Sequence, residues 1–239
     1  MFLLLRRLKI SLLKEGKIFK YGLYAAGEIL LVVVGILIAL QVDNWNKENS
    51  NRKLEQQYYL NMKAQLLADK KTLGQEIQYN NGFLEQFRQA ISIIAENDRE
   101  QIQKLAKIVL ELKNFSDFRR KSSIYQTLVN SGEIKHVRNR SVIEMFQSLE
   151  GDYTYIERLE DIHRQAVLDF VLEQVVDSVQ IQTLIVRKPD QLYSYQMQNS
   201  LVLIIGLIEE KSAIYHKAVA DIDETVKLIL KGLEITEAN

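Results

Sequence analysis

Three kinds of side chain in this 239-residue sequence stand where they could do chemistry: a lone carboxylate inside an apolar run, three histidines, and a group of bases near residue 135. The carboxylate is Glu28. An ionised acid facing hydrocarbon costs on the order of 2.5 kcal/mol or more. Glu28 is therefore expected to be protonated, to pair with a base such as Lys20 or a neighbour's Arg6, or to turn into protein. Three roles correspond: a side chain reaching for headgroups, a polar contact setting the register between helices, or a proton carrier in an ion-motive energy-coupling subunit. His136, His163 and His216 fall in three different elements, with no His-Glu-x-x-His, Glu-x-x-His or carboxylate-rich loop beside them, so no metal ligands are expected. Ser131 to Arg140 reads SGEIKHVRNR, and Lys135, Arg138 and Arg140 make it a candidate corner for an anionic ligand. Its competing reading is a plain joint between two helices.

Nothing in the sequence points to catalysis or to a cofactor. There is no glycine-rich dinucleotide turn, phosphate loop or Gly-x-Ser-x-Gly elbow. The many acids sit at helix-surface spacings beside lysines and arginines, as solvated faces do. No basic patch lies outside the first 20 residues, which argues against nucleic acid. Cysteine is absent, which excludes disulfides and thiolate metal sites.

The element that must position Glu28 is an apolar helix. Tyr21 to Val42 is 22 residues, about 33 Å at the helical rise, against a hydrocarbon core of about 30 Å. Arg6, Arg7, Lys9, Lys14, Lys17 and Lys20 precede it with the single acid Glu15, so the first 20 residues carry +5 and the remainder −5. That asymmetry predicts a cytoplasmic N-terminus and an exported C-terminal part. Tyr21, Tyr24 and Trp45 are placed as interface anchors at the two ends, and Arg6, Arg7 and Lys9 as anchors on the inner leaflet. A cleaved signal peptide is the alternative; Glu28 before the core, a run ending near Gln41 and no small-x-small site favour an uncleaved signal anchor.

Along that helix Glu28, Val32, Gly35 and Ala39 share a narrow stripe, and Gly35 with Ala39 forms a small-xxx-small pair. The stripe predicts a packing face for a second copy or another membrane protein, with the lipid bilayer as the remaining partner. Residues 1–20 divide Leu5, Leu8, Leu12 and Phe19 from their bases, as an interfacial helix would; a shapeless charge cluster uses the same residues.

Beyond Trp45 the helical period continues to about Gln78, and Asn80-Asn81-Gly82 offers a stop. Phe83 to Glu96 and Arg99 to Lys113 read as shorter amphipathic helices, and Asn114 to Ser122 as a connection. Ser122 or Ser123 caps a short helix that Ser131-Gly132 ends. Val142 to Val176 repeats apolar residues through Phe146, Leu149, Tyr153, Ile156, Leu159, Ile162, Ala166, Phe170 and Val175. Gln180 to Lys188 has a brief extended character, Pro189-Asp190 turns, and Leu192 to Leu233 is helical again. The expected fold is all-α: an N-terminal interfacial helix, one transmembrane helix continuing into a long helix, and an antiparallel helical bundle outside the membrane. The segments are 1–20, a basic cytoplasmic foot; 21–42, the span; and 43–239, the bundle.

Lys20-Tyr21, Tyr24-Ala25, Gly27-Glu28-Ile29, Leu31-Val32-Val33, the run Gly35 to Gln41, and Asn44-Trp45-Asn46 resemble the membrane box of a domain-of-unknown-function family of Gram-negative envelope proteins. Thr127 to Asn139, with Ser131-Gly132, resembles that family's second recurring feature. The resemblance implies a single inner-membrane span followed by a periplasmic helical part, and carries no activity. Asp43 departs from the neutral amide expected there. The expected protein is a non-enzymatic, single-pass inner-membrane protein whose periplasmic bundle binds, scaffolds or senses.

Overall fold

The computed structural model describes residues 17–120 and 122–237. The anchors Arg6, Arg7 and Lys9, most of the basic foot, and the side chain of Tyr24 lie outside the described residues. The chain is all-α and forms two compact units, one ending at Leu54 and one running from Glu55.

Helix α1, Lys17–Ala95, enters both units. In the first, every large apolar side chain from Ile29 to Leu40 is exposed, as are Tyr21 and Trp45 at the ends. This is the one helix among the described residues long and apolar enough to cross a membrane. Asp43 pairs with Lys47 at 2.7 Å, one turn on.

The second unit is a bundle with a heptad grammar. In α1 the buried positions Tyr59, Met62, Leu66, Asp69, Leu73, Asn80, Phe87, Ala90 and Ile94 fall on one seven-residue repeat. Helix α4, Arg140–Ala166, follows the same rule from Val142 to His163, and α7, Tyr195–Glu237, from Met197 to Ile229. Such 3.5-residue seams pack long helices as knobs into holes. Lys70–Asp223 (2.5 Å) and Arg88–Glu209 (2.5 Å) show α7 antiparallel to α1. Lys217–Asp152 (2.5 Å) and Lys211–Glu160 (2.8 Å) show it antiparallel to α4 as well. Helices α1 and α4 therefore run parallel, and Tyr153 donates to Asp69 across them at 3.3 Å. Near the α7 end of this seam Gly232 admits the Tyr59 ring, which an added Cβ would meet at 3.2 Å.

The stop expected at Asn80-Asn81-Gly82 is not used. Asn80 sits on the seam, fully buried, and burial of Phe87, Ala90 and Ile94 beyond it outweighs about 1 kcal/mol of poor helix propensity at Gly82. The chain stops instead at Asn97, left-handed at φ +50. There Asn97 N–H donates to Ile94 O (3.0 Å) and Asp98 N–H to Ile93 O (3.1 Å), the paired bonds of a Schellman end. Asp98 then caps a 3-10 turn, Arg99–Gln101, leading into α2, Ile102–Glu111.

Residues 114–120 return without helix or strand. Helix α3, Ile124–Asn130, begins at the Ser123 cap; Gly132, at φ +72, ends it and starts a 3-10 turn, Glu133–His136. After α4 comes a π-helical turn, Val167–Val171, then α5, Leu172–Ser178. A two-stranded hairpin, β1 Val179–Gln180 and β2 Ile185–Val186, pairs Val179 with Val186. Pro189 opens the short α6, Pro189–Leu192, at a position where its missing N–H does no harm.

Candidate functional site

In the non-helical segment 114–120, Ser116 and Phe118 are buried while Asp117 and Arg119 face solvent, so the main-chain groups at the two buried positions need protein partners. Charged side chains of the helices supply them. Phe118 N–H donates to Glu160 Oε1 (3.2 Å), and Lys211 Nζ donates to Ser116 O (3.0 Å) and to Glu160 Oε2 (2.8 Å). Tyr215 OH meets both Glu160 and Ser116 Oγ. Glu160, Lys211 and Tyr215 are all at most 1% exposed. Burial pushes the Glu160 carboxyl up and the Lys211 ammonium down, each toward its neutral form. The ion pair is nonetheless well supplied with partners: two acceptors meet the ammonium and three donors the carboxylate. Glu76 from α1 lies in the field of Lys211 and accepts from the main chain at Asp117; burial raises its carboxyl too.

Three residues along α4, on the same face, His163 is fully buried, with its ring 5.1 Å from that of Phe115. Burial, with the Lys211 charge, pulls its imidazole down to about 3, so it is neutral at ordinary pH. Neither ring nitrogen has a hydrogen-bond partner among the described residues. Asn80 is similar: its amide donates to Ser212 Oγ at 3.4 Å, while its carbonyl oxygen has no donor among the described residues.

A second polar group fixes the far end of the same connection. Arg120 holds Glu150 through two bonds (2.6 and 3.0 Å), and its guanidinium lies 4.1 Å from the Tyr153 ring centre. Ser123 Oγ and Gln126 Nε2 also donate to Glu150. Burial alone would raise that carboxyl, but these donors and the Arg120 charge hold it below the ordinary range. Gln65 of α1 accepts from Ile124 N–H at 2.7 Å.

In the basic corner two of the three bases have carboxylate partners. Arg138 N–H donates to Glu55 Oε1 (2.6 Å), and its Nε lies 3.7 Å from Oε2 of that buried side chain. Arg140 pairs with Glu144 at 2.9 Å. Lys135 alone of the three has no ion pair among the described residues. Tyr58 donates to Glu133 at 2.7 Å; burial, helped by that bond, pushes its hydroxyl up to about 12. Asn139 caps α4 through Ser141 and Val142. The three histidines stay apart in role: His216 Nδ1 contacts its own helix at Ser212 O (2.7 Å), and His136 lies in the 3-10 turn. No cluster suited to a metal occurs among the described residues.

On the apolar part of α1 Glu28, Val32, Gly35 and Ala39 are all exposed, and a Cβ added at Gly35 would touch nothing within 4 Å. The stripe is open to a neighbour along its whole length.

Sequence reasoning missed Glu160, His163 and Lys211 because it followed apolar residues rather than phase. It placed Ile162 and Phe170 inward; both are exposed, at 41% and 56%. A strict count of alternating four- and three-residue steps from Val142 lands on Glu160 and His163. That count next predicts Val167 and then Phe170. The π-helical turn adds one residue to the step, so Val171 and Val175 enter the core and Phe170 is turned out. The wide turn frees the Phe170 carbonyl, which accepts from Gln174 Nε2 and from Ser200 Oγ (3.4 Å). Beside it Phe170, Gln174, Gln196, Asn199, Ser200 and Leu203 line a groove of about 250 Å³.

A family model described as a family of unknown function, DUF6090, matches residues 28–187, more than half of the chain, and the chain belongs to that family. The matched stretch begins at Glu28 and ends just after β2. No curated protein and no solved structure matches the chain.

Proposed function

We propose that this member of DUF6090 is a single-pass protein of the bacterial inner membrane, with its N-terminus cytoplasmic and residues 43–239 in the periplasm. Its helical domain acts as a binding, scaffold or sensor-like module without catalysis. The span associates with a second copy or another membrane protein through Glu28, Val32, Gly35 and Ala39. The observation that carries this reading is the helical stretch Tyr21 to Val42, about 33 Å long, in which every large apolar side chain from Ile29 to Leu40 is exposed. Two further points support it. The basic leader sets the orientation, and the buried acids and bases of the bundle close on one another and on the connection.

Single cysteines introduced into this cysteine-free chain test the topology. A thiol at Lys227 should react with a membrane-impermeant maleimide in cells whose outer membrane alone is opened. A thiol at Ser11 should react only after the inner membrane is broken. The reverse pattern, or recovery of the chain from a soluble extract, would sink the proposal.

The second reading makes the protein an energy-coupling subunit with Glu28 as proton carrier. It draws on the exposure of that one acid within the apolar helix. Unchanged growth and assembly of Glu28→Gln would remove its basis.

A further inference from the structure

We infer that the groove beside the π-helical turn docks a cationic amphipathic segment of a partner protein. The inference rests on the reading of this domain as a binding module and names the chemistry of what it binds.

The groove exists because of the inserted residue. In an uninterrupted α-helix Phe170 would take the next seam position; here it is turned out, 56% exposed, opposite Leu203, 42% exposed. Two large apolar side chains thus flank a concavity whose other lining groups are the neutral Gln174, Gln196, Asn199 and Ser200. Gln174 Oε1 is shielded and has no donor among the described residues. An N–H or ammonium from a seated segment would provide one.

Charge selects the occupant. Residues 165–186, which contain the lining residues Phe170 and Gln174, hold Asp169, Glu173 and Asp177 and no lysine or arginine. Residues 189–210, which contain the other wall, hold Asp190, Glu209 and Glu210 and again no base. Four of these acids already have partners: Asp177 with Lys188, Asp190 with Arg99, Glu209 with Arg88, and Glu210 with Tyr155. Asp169 accepts only from Gln165, and neither it nor Glu173 has an ion pair among the described residues. They lie four residues apart, next in sequence to Phe170 and Gln174, and so form an acidic rim beside a neutral groove flanked by Phe170 and Leu203. A helix with an apolar stripe bordered by lysines or arginines complements both features. A second copy would set acid against acid, and an anionic lipid surface would be repelled in the same way.

The probe is a labelled peptide of about 18 residues with leucine and lysine at helical spacing, long enough to hold a helix when bound. A leucine–glutamate peptide of the same spacing is the control. The full chain is used in nanodiscs of neutral lipid, with empty nanodiscs subtracted. The lysine peptide should bind saturably, more weakly at high salt, and slow hydrogen exchange in residues 167–178 and 195–206. Asp169→Lys with Glu173→Lys should weaken it at least about tenfold. Phe170→Glu should do the same; if that variant fails to fold, the exposed double charge reversal still decides. Equal affinity for the glutamate peptide, no binding, or no response to the charge reversal would overturn the proposal. So would a dimer that Phe170→Glu dissolves, since the occupant would then be another copy. Saturable binding with protection on a different face would overturn this site and leave the binding-module reading standing.

Discussion

Glu160 and Lys211 meet at 2.8 Å with both side chains at zero exposure, and each also holds main chain of the 114–120 connection. The pair therefore fastens the buried positions Ser116 and Phe118 of an irregular segment as well as joining two helices. Removing one member strands the other, at a cost of about 3–5 kcal/mol. Lys211→Met should lower the urea midpoint of the second unit accordingly. Adding Glu160→Gln should recover part of the loss, because the amide still accepts from Phe118. A midpoint within error of the parent for Lys211→Met would contradict the assignment.

His163 makes the fold acid-sensitive. Its folded-state value near 3 lies below the ordinary 6.5, so the unfolded chain binds the proton first. Stability is full above about pH 6.5 and declines as pH falls toward 3, at a limiting slope of about 1.4 kcal/mol per unit. His163→Leu removes the titration together with two unpartnered ring nitrogens. Its unfolding free energy should be equal or higher at pH 7 and flatter between pH 6.5 and 4. An identical slope in parent and variant would assign the acid sensitivity elsewhere.

Asn80→Leu should raise the thermal midpoint of the second unit. The change deletes a carbonyl oxygen with no donor among the described residues and a long 3.4 Å bond, and fills a seam position with an apolar side chain; about 1 kcal/mol is expected. A loss of that size instead would mean that Asn80 holds the register of α1 against α7 through a water.

Gly35→Leu with Ala39→Leu should abolish disulfide crosslinking of a thiol placed at Val32 in membranes. Glu28→Gln alone should leave it within about twofold if, on the proposed face, close backbone approach at Gly35 and Ala39 supplies most of the contact. Crosslinking that persists in the double leucine variant would show that the copies meet elsewhere.

Much of this architecture is readable from residue order. The apolar run, the Ser123 cap, the Ser131-Gly132 end, the extended piece after Gln180 and the turn at Pro189 all stand where local chemistry places them. The failures have one cause. Asn80, Glu160, His163 and Lys211 are polar, so a search for apolar periodicity passes over them, yet the helices bury them because neighbouring seam positions leave no choice. Asn80-Asn81-Gly82 and Asn97 are both sound stop signals; only the packing of Phe87 to Ile94 distinguishes them. The π-helical turn has no local signature at all. It becomes visible as a one-residue slip between the phase of Val142 to Val167 and that of Val171 to Ser178.

The partners of the connection also set an order of events during synthesis. Ser116 waits for Lys211 and Tyr215, 95 and 99 residues downstream, and Phe118 for Glu160, 42 downstream. Until α7 leaves the ribosome, a growing chain holds α1, α2 and α4 with unfilled donors and acceptors between them. A polypeptide cut short before Tyr195 thus lacks the partners of Ser116, and the last helix acts as the latch that closes over them.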